Sequence, residues 1–472
     1  MKKRTLVISL VFAAIVAGAL VINANLAGIV ASRQQQNDAL IEESMAYHIG
    51  TLAYLYAYPI VDMTQQMHNE THRVSDDQQV YAPVNRLYRF PEIVGPDTGG
   101  NLRAPNNDTL YYSGWFDVSE EPLIIHTPDT QRRYYTIAVT NLYSEVEHIG
   151  RRTTGTEQGY FGLTGPNWTG TLPDGVRQVP VESEQGWLLG RMLVEGPEDY
   201  EAAMALVNDI WLASLSEFTP GQRPKMPPEE EASAREVINN LEFFSIFHAQ
   251  LEKLPPRAAE AALMAQFEAI GLARSKPFDP ATLSEAARRG LARAVEDGEE
   301  IVKAAAQRTI PDYNGWMISK KIGRYGFDYM HRASVALGGY GNLPEESLYP
   351  AMIFDPDGEL MEGGQVYQLH FAADEMPPVD GFWSLAAYRL TDQQLEENEL
   401  QRYSIGDRTK GLRYNPDGSL TLTLQHERPD DPNTNWLPVP AGNFILVMRL
   451  YEPEAAVLEN DYLLPELQRL AH

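Results

Sequence analysis

No cysteine occurs among the 472 residues, which removes disulfides, thiolate nucleophiles, zinc–thiolate sites and iron–sulfur clusters together. A body of this size must then be held by packing alone. Positive charge is also in deficit, with 38 Lys and Arg against 65 Asp and Glu and a formal net charge of −27. Nucleic acid and anionic membrane surfaces are therefore poor partners. Several motifs are missing as well: a Gly-x-Ser-x-Gly elbow, a dinucleotide glycine fingerprint, a Walker loop and a His-Glu-x-x-His pair. Ordinary serine hydrolases, nicotinamide enzymes, P-loop enzymes and zinc proteases are disfavoured accordingly.

Long apolar runs are scarce, and the one that stands out lies at the start. Lys2, Lys3 and Arg4 precede a run from Leu6 to Ile22 broken only by Ser9 and Gly18. Such a helix reaches about 26 Å, and about 39 Å if it continues to Ala31. Residues 1–33 are thus expected to be a signal peptide, with Ala17-Gly18-Ala19 as its small-residue cleavage site, or an uncleaved membrane anchor. The anchor is the preferred form. Basic residues stay cytoplasmic under the positive-inside rule, so the body is expected in the periplasm, anchored to the inner membrane or secreted. The membrane would be met only through this segment. Without Lys2, Lys3 and Arg4 the formal charge falls from −27 to −30.

Beyond the leader the expected fold class is α+β: two β-sandwich-like domains around a helical middle. Residues 34–198 form the first, led by a helix from Gln34 to about Tyr58 that Pro59 should end. Its clearest strands are Tyr111–Val118, Leu123–His126, Tyr134–Tyr143 and Trp187–Val194. Residues 199–310, rich in Ala, Glu, Leu and Arg, read as three or four helices. The second β-domain, 311–472, opens with a short helix at Tyr325–Ala336. Strands follow at Gln365–Phe371, Phe382–Leu390, Leu420–Gln425 and Phe444–Tyr451.

Two internal echoes bear on this plan. Val179-Pro180-Val181 followed by Trp187 to Glu198 resembles Leu437-Pro438-Val439-Pro440 followed by Phe444 to Glu454, with the arginine out of register. Within the second half, Phe354-Asp355-Pro356-Asp357-Gly358 parallels Tyr414-Asn415-Pro416-Asp417-Gly418, each reading as a turn with Gly at positive φ. The first echo suggests that the two β-domains are distant duplicates, an idea that differing strand orders would refute.

Candidate site residues fall in a few clusters. His68 and His72, four apart, could share a metal with Glu70, but the spacing is not that of the zinc-protease helix, and no metal is expected. Asn106-Asn107-Asp108-Thr109-Leu110-Tyr111 is the densest polar cluster; it could hold a ligand or simply satisfy an Asx-type turn. Arg332 could clamp an anion or a carbonyl. Trp383-Ser384 and Asn435-Trp436 set an indole beside a small polar group, which suits an amphiphile pocket or a buried structural Trp.

These same residues carry a family resemblance. Ala57-Tyr58-Pro59-Ile60-Val61, Pro105 to Tyr111, Arg133-Tyr134-Tyr135 and Gly150 to Gly155 in the first half, with Asp328 to Ala333, Pro377 to Ser384, Arg402 to Arg408, Asn415 to Leu420 and Asn435 to Pro440 in the second, look like proteins that pair the domain-of-unknown-function families 1254 and 1214. The resemblance spans about residues 40–470. It implies β-sandwich domains, usually in exported bacterial proteins, and adds weight to Asn107-Asp108 and Asn435-Trp436. Ala57 is a mild departure, where many members carry Gly.

The expectation is an extracytoplasmic protein, hydrolase-like, acting on a small neutral or amphiphilic molecule near the junction of the β-halves. Asp108 would be the acid/base or orienting carboxylate and Arg332 an electrophilic clamp. Asn107 and Asn435 would donate amides, and Tyr111, Trp383 and Trp436 would supply apolar walls. No cofactor is required, and self-association into a homo-oligomer is allowed for. The competing expectation is a non-catalytic envelope binding or assembly module, whose named side chains would be scattered and satisfied among themselves.

Overall fold

The computed structural model describes residues 2–96, 98, 104–236, 238, 240–251, 253–255, 257–308 and 312–470, with backbone only for 2–22 and 24. Helix α1 runs Lys2–Thr71 with Pro59 inside it. The side chains of the apolar run Leu6–Ile22 lie outside the described residues; among those described, no helix is long and apolar enough to cross a membrane. Pro59 does not end α1, contrary to expectation. It has no N–H for the Leu55 carbonyl, and in the same turn the neighbouring Tyr56 carbonyl accepts from Arg332 Nη2 at 2.6 Å.

The chain divides into two compact units. The first comprises residues up to Leu55, Ile238–Ala249 and Arg257–Glu300. It is helical and small-residue packed. Gly50 of α1 lies so close to Leu291 and Ala294 that a Cβ would sit 2.7 and 2.9 Å from their side chains, and at Gly290 it would fall 2.3 Å from the Glu43 carbonyl. Tyr54 stacks on Phe243 at 4.3 Å between ring centroids, and the Tyr47 hydroxyl donates to Asp297 at 2.7 Å.

The second unit, Tyr56–Val237, Gln250–Pro256 and Ile301–His472, holds all the strands. In its first half these are β1 (Tyr88–Arg89), β2 (Thr109–Asp117), β3 (Leu123–Thr127), β4 (Tyr135–Asn141), β5 (Val146–Gly150), β6 (Gly159–Thr164), β7 (Val176–Pro180), β8 (Gln185–Leu193) and β9 (Trp211–Ser214). They form two sheets, ordered β1-β2-β8-β4-β5 and β7-β6-β3-β9. One core joins the sheets, with Leu110, Tyr112 and Leu188 on one side meeting Ile125, Phe161 and Leu163 on the other. That is a sandwich. Strand β9 lies in the stretch expected to be helical: four residues between turns are too short to show a period against Ala-rich surroundings.

The second half contains β10 (Asp312–Tyr313), β11 (Trp316–Met317), β12 (Ser347–Leu348), β13 (Ala351–Met352), β14 (Tyr367–Phe371), β15 (Val379–Arg389), β16 (Ser404–Gly406), β17 (Leu420–Gln425), β18 (Trp436–Pro438), β19 (Phe444–Pro453) and β20 (Leu467–Arg469). Its sheets run β10-β11-β13-β19-β15-β16, with β12 also on β19, and β18-β17-β14-β20. Leu369, Leu422, Leu385 and Met448 share their core. Both Asp/Asn-Pro-Asp-Gly segments are the expected turns: Gly358 and Gly418 sit at φ 82 and 87° and donate to the Asp355 and Asn415 carbonyls at 3.0 and 2.9 Å.

The two sandwiches have one topology. Taking β2 as β12 plus β13, each later strand of the first half has its counterpart in chain order: β2-β8-β4-β5 maps on β12/β13-β19-β15-β16, and β7-β6-β3-β9 on β18-β17-β14-β20. Directions agree as well. Each second sheet carries one parallel pair, β6 with β7 and β17 with β18, and the remaining pairs are antiparallel. The echo segments fall on β7–β8 and β18–β19; Val179-Pro180-Val181 matches Leu437-Pro438-Val439 in place, while Trp187 corresponds to Ile445 and not to Phe444. Thr136 pairs with Gly150 and Arg191, and Ser384 pairs with Gly406 and Arg449. Arg191 and Arg449 are therefore equivalent, not out of register. The equivalence of Gly150 and Gly406 has a steric reason, since a Cβ would fall 2.5 Å from the Tyr135 carbonyl in one and 2.2 Å from that of Trp383 in the other.

Candidate functional site

The register of β2 on β8 sets Tyr111 opposite Arg191, and the register of β12 and β13 on β19, continued across their break, sets Tyr349 opposite Arg449. These four residues line one cavity of about 750 Å³ between the sandwiches, within the usual range for a small-molecule site. The cavity therefore straddles an internal pseudo-two-fold. Leu189 and Val447, equivalent positions on β8 and β19, line it too.

Both arginines are buried, at 8 and 2 % exposure, and among the described residues neither has a carboxylate within ion-pair distance. Arg191 Nη1 donates to Asn342 Oδ1 at 3.0 Å, while its Nε has no partner. Arg449 Nη2 donates to the Ala104 carbonyl and to the Tyr388 hydroxyl at 2.5 and 2.7 Å; its Nη1 has none. Each arginine thus reaches the segment leading into the other repeat. The Tyr111 hydroxyl accepts from Asn106 Nδ2 at 2.6 Å and that of Tyr349 from Asn342 Nδ2 at 2.8 Å. Each phenol keeps its own O–H to donate.

The rest of the wall is one-sided. Trp187 and Phe90 come from the first repeat, with the Trp187 indole donating to Ser113 at 2.8 Å. Tyr340, on the Gly-rich loop after helix α7 (Tyr329–Leu337), adds a ring whose hydroxyl donates to Asp62 at 2.7 Å. Glu70 of α1 is the carboxylate most altered by its setting. Burial pushes it up to about 7, against the pull of the Trp115 indole, which donates to its Oε2 at 2.7 Å. Glu70 therefore turns to Trp115 and is no partner for His68 and His72. Those imidazoles stack on each other, 4.5 Å between centroids.

Of the residues given a role in the expected site, Tyr111 lines this cavity, and Glu70 and Asn106 of the candidate clusters line it too. Asp108 is buried and committed, accepting from Arg408 Nη2 at 2.8 Å and the Ser384 hydroxyl at 2.6 Å. Its counterpart by register, Glu346, accepts from Arg152 Nε at 2.9 Å and the Tyr134 hydroxyl at 2.9 Å. Arg152 and Arg408 follow the equivalent glycines Gly150 and Gly406, so each repeat lends an arginine to the other's acid. The turn reading of the polar cluster holds for Asn106, whose Oδ1 accepts from the N–H groups of Asp108 and Thr109 at 3.0 Å each. Asn107 stands beside it with a buried, unpartnered Oδ1.

The remaining candidates lie elsewhere. Arg332 is buried among the rings of Tyr56 and Tyr329, 4.8 and 5.1 Å from their centroids, at the Pro59 turn. Trp383 stacks on Phe371 in the second core. Asn435 is spent on the Arg413 backbone and the Thr421 carbonyl, and the Trp436 indole donates to the Gln425 carbonyl at 2.8 Å. Arg191, Arg449, Tyr349 and Trp187 were not singled out from the sequence, and Glu70 only as a possible metal ligand. The signal that could have found the arginines was the β8/β19 echo, shifted by one residue.

Comparison with known proteins agrees with this division. The model described as "Protein of unknown function (DUF1254)" matches residues 84–214, and "Protein of unknown function (DUF1214)" matches 346–455. No curated protein matches. Among solved structures, the VPA0106 protein from Vibrio parahaemolyticus is 25% identical with a TM-score of 0.67, over 90% of this chain and all of that one. An uncharacterized protein from Burkholderia cenocepacia covers 93% of this chain and 97% of its own at 12% identity and a TM-score of 0.46. Neither name states an activity. The chain belongs to the proteins that carry an N-terminal DUF1254 domain and a C-terminal DUF1214 domain.

Proposed function

We propose that this is an extracytoplasmic protein that takes a small amphiphilic molecule into the cavity between its two sandwiches. The observation that carries the reading is the cavity itself: about 750 Å³, with an aromatic wall at Trp187 and Phe90 and polar groups at Arg191, Arg449, Tyr111 and Tyr349. That combination of apolar body and few convergent polar groups is what small-molecule sites share. Asp108 acts in this reading as a clamp between the repeats, not as a catalyst. The export half of the proposal is supported by Lys2, Lys3 and Arg4 ahead of the Leu6–Ile22 run.

The test is native mass spectrometry of the full chain after exposure to a metabolite mixture, beside an Ala351→Trp variant that fills the cavity. Wild type should retain a small molecule that the variant does not. Equal retention by both would place the ligand elsewhere and end the reading.

Glu70 favours a second reading, an enzyme. A buried carboxyl that titrates near neutrality on a cavity wall can give and take a proton. If a retained ligand is recovered unchanged after long incubation with wild type, binding is the function and this second reading fails.

A further inference from the structure

We propose that the cavity is an anion site built on the internal two-fold, in which Arg191 and Arg449 hold the anionic head, a carboxylate or phosphate, of the molecule whose apolar part lies along Trp187. The inference rests on the cavity being the ligand site.

Two facts lead to it. A guanidinium cannot shed its charge at any ordinary pH, and an unpaired buried charge is among the most unfavourable things a fold can contain. This chain keeps two of them, each with a nitrogen lacking a partner, although 65 acidic residues were available to pair them. Other arginines at the contact between the repeats do meet acids: Arg408 meets Asp108, Arg152 meets Glu346 and Arg151 meets Glu452. Asp108 and Glu346 stand at equivalent positions nearby, and Asp108 acts on Arg449 through space, yet among the described residues neither acid forms an ion pair with Arg191 or Arg449.

The second fact is the set of uncommitted donors. Tyr111 and Tyr349 each accept from an asparagine amide, which orients the phenol and leaves its O–H to donate. Two cations and two O–H donors on equivalent strands of the two repeats line one space, and Arg191 Nε, Arg449 Nη1 and the two phenol O–H groups have no acceptor among the described residues. Arg191 and Arg449 also share Tyr111 and Tyr451 as electrostatic neighbours. The buried Tyr451 hydroxyl is itself without a partner. An anion would satisfy groups from both repeats at once, with charge-assisted bonds stronger than neutral ones.

The experiment measures binding to the full chain by calorimetry for three probes: 4-phenylbutyrate, its neutral primary amide, and inorganic phosphate. The acid should bind at least about tenfold more tightly than the amide, weakening as salt rises. Arg449→Met and Arg191→Met should each weaken the acid by about tenfold or more and leave the amide unchanged. Their melting temperatures should equal or exceed wild type, because an unpaired buried charge is gone. Should either variant fail to fold, Tyr349→Phe serves, removing one hydroxyl and weakening the acid severalfold. Phosphate bound alone with comparable affinity would assign the head as a phosphate; acid bound without phosphate would assign a carboxylate. Equal affinity for acid and amide, or acid binding indifferent to both arginines, overturns the anion site while leaving the cavity reading intact. Binding of no probe by wild type overturns both.

Discussion

Replacing Glu70 by Gln should stabilise the protein, and only above about pH 5. Glu70 Oε2 accepts the Trp115 indole N–H, a bond the Gln carbonyl oxygen keeps, so the exchange removes charge and little else. Burial raises the carboxyl from 4.5 to about 7, so the folded protein binds a proton that the unfolded chain has released anywhere between those values. The Glu70 contribution is therefore fully present below pH 4.5 and is lost as pH rises through 7. At 1.36 kcal/mol per pH unit that interval corresponds to about 3 kcal/mol. The variant has no such loss. Its advantage over wild type should be under about 1 kcal/mol at pH 5 and approach about 3 kcal/mol by pH 8, a melting shift of roughly 3 °C at this chain length. Scanning calorimetry of both proteins from pH 4.5 to 8.5 measures the difference directly. A gap that stays constant with pH, or closes as pH rises, would show that Glu70 is charged in the folded state and that its burial has been misread.

Three further outcomes follow from the repeat geometry and the leader. Asp108→Asn leaves Arg408 facing a neutral group in a buried pair and should cost about 3 kcal/mol in denaturant unfolding; Glu346→Gln should cost less, since burial already holds that carboxyl above the usual range despite Arg152. Gly150→Ala and Gly406→Ala should each lose about 2 kcal/mol or more, because the added methyl meets a backbone carbonyl in both repeats; a neutral result at either would break the equivalence drawn between them. Deleting residues 2–22 tests the proposed export: the body should stay in the cytoplasm by cell fractionation, with the same melting temperature as the full chain.

Much of the fold was readable because its strands alternate or run apolar between strong turn residues. Leu420–Gln425 was delimited to the residue, and both Pro-Asp-Gly turns took the positive φ at glycine that their composition requires. Where reading failed, tertiary contacts had overridden a local rule. Pro59 should stop a helix, yet α1 passes through it, and Arg332, far along the chain, donates to the Tyr56 carbonyl of that turn. Strand β9 had too few residues to show a period. The site was harder, since a sequence displays polar residues without saying which are already satisfied. Asp108, Asn435 and Trp436 drew attention for their chemistry, and the fold consumes that chemistry in Arg408, the Thr421 carbonyl and the Gln425 carbonyl. Arg191 sits in an apolar strand with nothing nearby in sequence to mark it as unpaired.

Duplication also explains why the cavity is symmetric at one end and lopsided at the other. In a two-fold dimer of one sandwich, any group near the axis appears twice, and Arg191/Arg449 with Tyr111/Tyr349 still do. Once both copies share a chain, each can change alone. Trp187 corresponds to Ile445 and Ser113 to Ala351 by register, so the indole held by a serine hydroxyl in the first repeat has only aliphatic carbon as its counterpart in the second. Glu70 comes from α1, before either repeat, and has no counterpart at all. The paired groups define what both ancestral copies must have faced, a shared anionic head. The unpaired ones, Trp187 and Glu70, mark where this protein acquired its own specificity, so substitutions there should change which molecule is preferred while substitutions at the arginines should weaken all of them.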